Sequence, residues 1–284
     1  MSARAERSAA ANGRVPSVGQ RVVRTRAARV AGEVAKELLV IAAASVAYGG
    51  VRELTEGDLQ TAVDNGLWIH ELEQRLDFAW EGAAQSLILP HRLLVDVANW
   101  VYIWGHWPVI AVCALALFAF RRDHYRLLRN AVLISAAIGF VFFALLPTAP
   151  PRLADPAFVD TIGEWSTSYR TLQPPSLTNQ VAAMPSLHFG WNLLVGVTLF
   201  LATRSLLVRV FAVVMPAAMA YAVVATANHW VLDVLAGTVV VLVGLVLARP
   251  RHISSFPQRT SADSPIDSRA AMRDARPASS TERR

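Results

Sequence analysis

His229 and Asp233 stand four residues apart in Asn228-His229-Trp230-Val231-Leu232-Asp233, which opens an otherwise uncharged apolar run. On a helix that spacing puts both side chains on one face. A carboxylate at such depth is costly and normally has a partner or a function. One that accepts a hydrogen bond from an imidazole nitrogen fixes the tautomer and leaves the other nitrogen free to attack. A purely structural His–Asp pair is the plain alternative. His188 opens a second apolar run, within Ala182-Ala183-Met184-Pro185-Ser186-Leu187-His188. Proline is favoured at the first helical position, so Pro185 is expected to start a helix with Ser186 and His188 in its first turns. Free amides and the positive dipole end make such a turn an anion site. Asn192, four residues on, is placed to orient the His188 ring, although a histidine at a helix start also has a structural reading.

The third cluster is Leu146-Pro147-Thr148-Ala149-Pro150-Pro151-Arg152. Its prolines stop a helix and stiffen the exit. Arg152 is then held where a guanidinium can grip a phosphate bidentately; an interfacial Arg touching lipid headgroups is the alternative. Together the clusters describe metal-free phosphoryl transfer. One His attacks phosphorus, the other protonates the leaving oxygen, and Arg with backbone amides holds the charge. A weaker polar stripe, Asn99, Tyr102 and His106, either lines a headgroup pocket or makes interhelical hydrogen bonds. A haem protein with His106, His188 and His229 as axial ligands leaves Asp233, Arg152 and the prolines unexplained. A metal-dependent hydrolase using His188, His229 and Asp233 and a non-catalytic scaffold or transporter are further alternatives. No cofactor and no metal is expected.

These residues must be positioned by a membrane protein. Of 284 residues, 54% are hydrophobic and 17% charged, with mean hydropathy +0.37, whereas soluble domains carry about 25% charged residues. The net charge of +6 comes from Arg flanking apolar runs, so a nucleic-acid partner is not expected. A single cysteine, Cys113, excludes a disulfide framework or a cysteine-based zinc site. Six segments are long and apolar enough to span: Val34–Val51, Trp100–Phe120, Leu127–Leu146, Pro185–Ala202, Leu207–Ala225 and His229–Ala248. The expected fold is all-α, a six-helix membrane bundle over 34–249, between disordered tails at 1–33 and 250–284. Arg-rich segments all fall on one side of six spans, which makes both termini cytoplasmic and puts the three clusters at the outer face of the plasma membrane. All eight Trp then fall on the outer side, as interfacial indoles. Trp68, Leu72, Leu76 and Trp80, with Glu71, Glu73 and Asp77 between them, predict an amphipathic helix in the outer interface.

At these motifs the chain resembles the type-2 phosphatidic acid phosphatase superfamily, over roughly residues 53–248. Within it the chain looks like the branch of inositol phosphorylceramide synthases and their bacterial relatives. Pro147–Arg152 resembles the first motif, Met184–His188 the second and His229–Asp233 the third; Asn99–His106 also looks like that branch. The resemblance implies a six-helix membrane enzyme with an outer-face site. It makes His229 the nucleophile, Asp233 its orienter, His188 the general acid, and Arg152, with Ser186, the phosphate ligands. It implies a phospholipid or lipid phosphate substrate, and a hydroxyl acceptor or water. Two cations of the phosphatase pattern are absent: a Lys where Leu145 stands and an Arg where Val223 stands. A phosphodiester carries one negative charge and a phosphomonoester nearly two. The poorer cation complement therefore favours headgroup transfer from a diester over monoester hydrolysis, unless Arg170 replaces the lost charge. An Arg restored at 223 is expected to raise monoester activity.

Overall fold

The computed structural model describes residues 18–55, 59–166 and 179–249. The C-terminal tail, residues 1–17 and Arg170 lie outside them. The described residues are all-α: α1 (Val18–Thr55), α2 (Leu59–Arg75), α3 (Glu81–Ile88), α4 (Arg92–Trp104), α5 (Trp107–Phe120), α6 (Arg122–Leu145), α7 (Pro151–Ala154), α8 (Thr161–Trp165), α9 (Leu187–Ala202), α10 (Leu206–Ala225) and α11 (Val231–Ala248). Helix α1 takes in residues 18–33, which the sequence assigned to the tail. Ala and Arg are frequent there, and both are strong helix formers.

Helices α6, α10 and α11 are each long and apolar enough to cross a membrane, and α4 with α5 passes the same test as a broken pair bent by 46°. Among the described residues the chain is thus an all-α membrane protein with three such spans, or four with the bent pair. The other two expected spans fall on α1 and on the 16-residue α9. The break in the second expected span has a local cause. Pro108 lies in the first turn of α5, so its ring would clash with the Trp104 carbonyl in a continuous helix. Gly105 caps α4 where a Cβ would meet the Met215 methyl group and the Val101 carbonyl. The kink leaves His106 between the two helices, 2% exposed, with its ring turned inward.

The main apolar core joins Cys113 and Leu117 of α5, Leu127 and Ala131 of α6, Leu194 and Leu199 of α9, Ala212 of α10, and Val241 and Leu245 of α11. Helix α11 approaches the start of α9 so closely that a Cβ on Gly237 would collide with the Ser186 carbonyl. That contact lets the Ser186 N–H donate to the Asp233 carbonyl at 2.9 Å. Helix α1 is tied to α6 by Arg122–Glu33 at 2.9 Å and Arg129–Glu37 at 2.5 Å, so two Arg counted in the charge asymmetry are ion-paired.

The predicted amphipathic segment is two helices. Helix α2 ends at Arg75, Asp77 turns the chain with φ 57°, and Trp80 caps α3 instead of continuing the stripe. Trp68, Leu76 and Trp80 are more than half exposed, while Ala62, Gly66, Ile69 and Glu73 form the buried face of α2. Glu73, read from sequence as part of a polar face, is fully buried because it bonds to α11.

Candidate active site

The three motif segments are joined by backbone hydrogen bonds. Thr148 N–H donates to the Val181 carbonyl at 2.7 Å and Ala183 N–H to the Thr148 carbonyl at 3.0 Å, which makes an isolated parallel bridge of the first two motifs. The third motif is attached through Trp230, whose Nε1–H donates to the Ala149 carbonyl at 2.9 Å. Trp230 is fully buried, so this indole is a structural strut and not an interfacial anchor.

His229 lies just before α11, not inside it, at the end of a turn in which Ala227 has φ 55°. A left-handed alanine is strained. Arg152 N–H donates to its carbonyl at 3.1 Å, and the Val223 carbonyl accepts from the amides of Asn228 and His229. His229 is 5% exposed, with Nδ1 2.9 Å from the Ala183 carbonyl and 3.4 Å from Asp233 Oδ2. A carbonyl only accepts, so Nδ1 carries the proton and Nε2 keeps a lone pair. The second-motif backbone is thus the shorter partner of Nδ1, where the sequence pointed to Asp233 alone, and the Asp233 carboxyl is the longer one.

Asp233 Oδ2 also accepts from Trp230 N–H at 2.8 Å. The next two amides of the same helix end are taken by residues that sequence reasoning missed. Glu81 Oε1 accepts from Val231 N–H at 2.7 Å and Glu73 Oε1 from Leu232 N–H at 2.7 Å. Three acidic side chains thus cap the first turn of α11, where the orphan amides and the helix dipole favour acceptors. Burial, with the Glu81 carboxylate beside it, pushes the Glu73 carboxyl up to about 9 against the Leu232 amide. Nothing local marks Glu73 and Glu81 as caps, because their partners lie more than 140 residues away in sequence.

Ser186 is the N-cap of α9, its hydroxyl accepting from Phe189 N–H at 3.4 Å. Pro185 therefore precedes the cap and is not the first helical residue. A hydroxyl at Ser186 can satisfy a first-turn amide, which makes it the better cap. The amides of Leu187 and His188, at the first two helical positions, have no intrahelical acceptor. The His188 and His229 rings are 6.2 Å apart, and His188 Nε2 is buried without a hydrogen-bond partner.

Behind His188 stands an aromatic stack. Tyr102 lies on it at 4.6 Å and 11°, His106 at 4.0 Å and 25°, and Trp191 stacks on His106 at 5.9 Å. Asn192 Nδ2 donates to the His188 carbonyl at 2.9 Å and to His106 Nδ1 at 3.2 Å. It thus fixes the His106 ring, not the His188 ring as expected. Asn99 uses both ends of its amide on Thr161, donating to its carbonyl at 2.8 Å and accepting from its hydroxyl at 3.0 Å. That is an interhelical bond to α8.

Arg152 is the second residue of the short helix α7, with Nε donating to Asn228 Oδ1 at 2.9 Å and Nη1 to Asp160 Oδ2 at 3.4 Å. Its Nη2 has no partner among the described residues, and Asn228, directly before His229, holds the guanidinium beside the third motif. Of the two missing cations, Leu145 is 78% exposed, whereas Val223 is fully buried against Tyr102, Phe189 and Met219. An Arg at 223 would have to enter that apolar cluster, so the expected gain in monoester activity gives way to a loss of stability.

No curated protein and no solved structure matches the chain. A family model described as the PAP2 superfamily matches residues 67–247, the stretch from within α2 to the end of α11 that holds all three motifs. With well over half of its length matched, the chain belongs to the PAP2 superfamily, whose members are membrane phosphatases and phosphotransferases acting on lipid phosphates.

Proposed function

We propose that the protein is a lipid phosphotransferase that moves an inositol-phosphate-type headgroup from a phospholipid diester, at the outer face of the plasma membrane and without a metal ion at phosphorus. The observation that carries this reading is the pairing of an Nδ1-protonated His229 with a second imidazole 6.2 Å away whose Nε2 is unpartnered. His229 Nε2 attacks phosphorus, the bond to the diacylglycerol oxygen breaks, and His188 supplies the proton to that oxygen. An acceptor hydroxyl then attacks the phosphohistidine, its proton goes to His188, and the P–N bond breaks. Arg152 Nη2 and the first amides of α9 supply positive character for the phosphate oxygens. A groove of about 500 Å³ with wholly apolar lining starts at Phe189, next to His188, and runs along α9 and α10, which suits an acyl chain.

Labelled phospholipids, offered to the purified protein with and without hydroxyl acceptors and followed by mass spectrometry, test the proposal. Headgroup transfer is expected to outpace hydrolysis of phosphatidic acid, because the site lacks the two extra cations. Efficient phosphatidic acid hydrolysis with no transfer to any acceptor reverses the assignment in favour of a monoester phosphatase.

The proposed topology has a separate readout. Tags at Met1, at the Arg-rich segment 121–129 that joins α5 to the first turns of α6, and at the C-terminus are expected in the cytoplasm, and tags within 53–90 and 155–180 outside. An exterior signal from segment 121–129 contradicts both the six-span map and the location of the site.

A further inference from the structure

His70 precedes Glu73 by one helical turn on α2, and Glu81 opens α3. One ligand atom from each of the three lies within 4.8 Å of the others. Glu73 and Glu81 are fully buried, and Oε1 of each is occupied by a backbone amide of α11. Their remaining oxygens, Oε2 in both, and His70 Nδ1 are buried with no hydrogen-bond partner. No Lys or Arg pairs with either Glu among the described residues; the only cationic candidate is His70, 3.8 Å from Glu73. Two buried carboxyl groups side by side are expensive to ionise together without a balancing charge. One ligand atom of each residue thus lies close enough to the others to share a compensating ion.

We propose that His70 Nδ1, Glu73 Oε2 and Glu81 Oε2 bind one divalent transition-metal ion of the Zn²⁺ or Mn²⁺ class. One imidazole and two carboxylates suit such ions better than Ca²⁺ or Mg²⁺, which favour all-oxygen sets. The two carboxylates match the charge of the ion. Gln74 Nε2 lies 2.9 Å from His70 Nε2, and metal binding at Nδ1 requires this amide to turn over. With its amide oxygen turned to that nitrogen, Gln74 accepts the Nε2 proton and leaves Nδ1 its lone pair, as outer-shell partners of metal-bound histidines do. The ion ties α2 and α3 to the first turn of α11, the helix that carries Asp233. None of its ligands has a role in the proposed phosphoryl transfer, so the ion is structural.

The test uses the full-length protein purified in detergent, stripped with EDTA, desalted and titrated with Zn²⁺ or Mn²⁺. One ion per chain is expected by elemental analysis after desalting, with a thermal midpoint that rises as the site fills. His70→Ala, at a partly exposed position, and Glu81→Gln are each expected to weaken binding by more than about 100-fold, beyond the loss typical of outer-shell changes. Bound Mn²⁺ should also show a nitrogen coupling in its electron paramagnetic resonance that His70→Ala removes. If wild-type protein retains no more metal than His70→Ala, and its midpoint ignores both EDTA and metal, the proposal fails and the two carboxylates share a proton instead. His70→Ala decides the matter alone if Glu81→Gln does not fold.

Discussion

His229→Ala is expected to abolish turnover on every substrate, while His188→Ala regains much of its activity on an aryl phosphate ester with an acidic leaving group. The asymmetry follows from the proposed roles. His229 Nε2 is the lone pair that must reach phosphorus, because Nδ1 gives its proton to the Ala183 carbonyl. The His188 ring lies 6.2 Å from that of His229 and is held by stacking on Tyr102 and on His106. His188 supplies only a proton to the departing oxygen, and general acid catalysis contributes typically ~10²–10⁴-fold. An oxygen that leaves readily as an anion needs little of that help. Steady-state rates of both variants on an alkyl and an aryl ester check this. Rescue of His229→Ala by the activated ester, with His188→Ala inactive on it, exchanges the two roles.

Asp233→Asn is the second large effect, at about a 100-fold loss of kcat, or about 2.7 kcal/mol of barrier. In serine proteases the corresponding change costs roughly 10⁴-fold because the imidazole is held in the wrong tautomer. Here the Ala183 carbonyl is the nearer acceptor at 2.9 Å and keeps the proton on Nδ1 whatever stands at 233. The substitution removes the carboxylate charge 3.4 Å from the ring that becomes positive as it attacks. It also exchanges one oxygen of the acceptor pair at Trp230 N–H for an amide nitrogen. A loss below about tenfold would mean that the carbonyl alone orients His229 and that Asp233 serves the helix end. A loss near 10⁴-fold would mean that the carbonyl does not hold the tautomer.

The motif residues were legible in sequence because each cluster is polar or proline-rich inside an apolar background, where membrane energetics make such residues conspicuous. The way the motifs meet was less legible. The bridge between Thr148 and Ala182, and the strut from Trp230 to Ala149, are backbone and indole contacts that leave no pattern of residue types. The kink at His106 had a visible signal in Gly105 and Pro108, but the apolar run across it reads as one continuous span. Its consequence, a histidine stacked on His188, depends on the direction in which the kink turns. Glu73 and Glu81 were the deepest omission. Acids among Trp and Leu in an outer segment read as a solvated face, and only the three-dimensional approach of α2 and α3 to α11 turns them into caps. Asn192 shows the opposite error: correct helical spacing from His188, but a side chain that reaches a different histidine.

The central claim is that His229 forms the covalent bond to phosphorus through Nε2. Its most direct test is to mix the protein with a phospholipid labelled in the headgroup phosphate, quench under alkaline conditions that preserve phosphohistidine, and map the modified residue and ring nitrogen by mass spectrometry. The label is expected on Nε2 of His229, absent in His229→Ala and accumulating in His188→Ala with the aryl ester if that variant slows release to the acceptor. A label on His188, on Nδ1 of His229, or on no histidine while wild-type turnover continues contradicts the account.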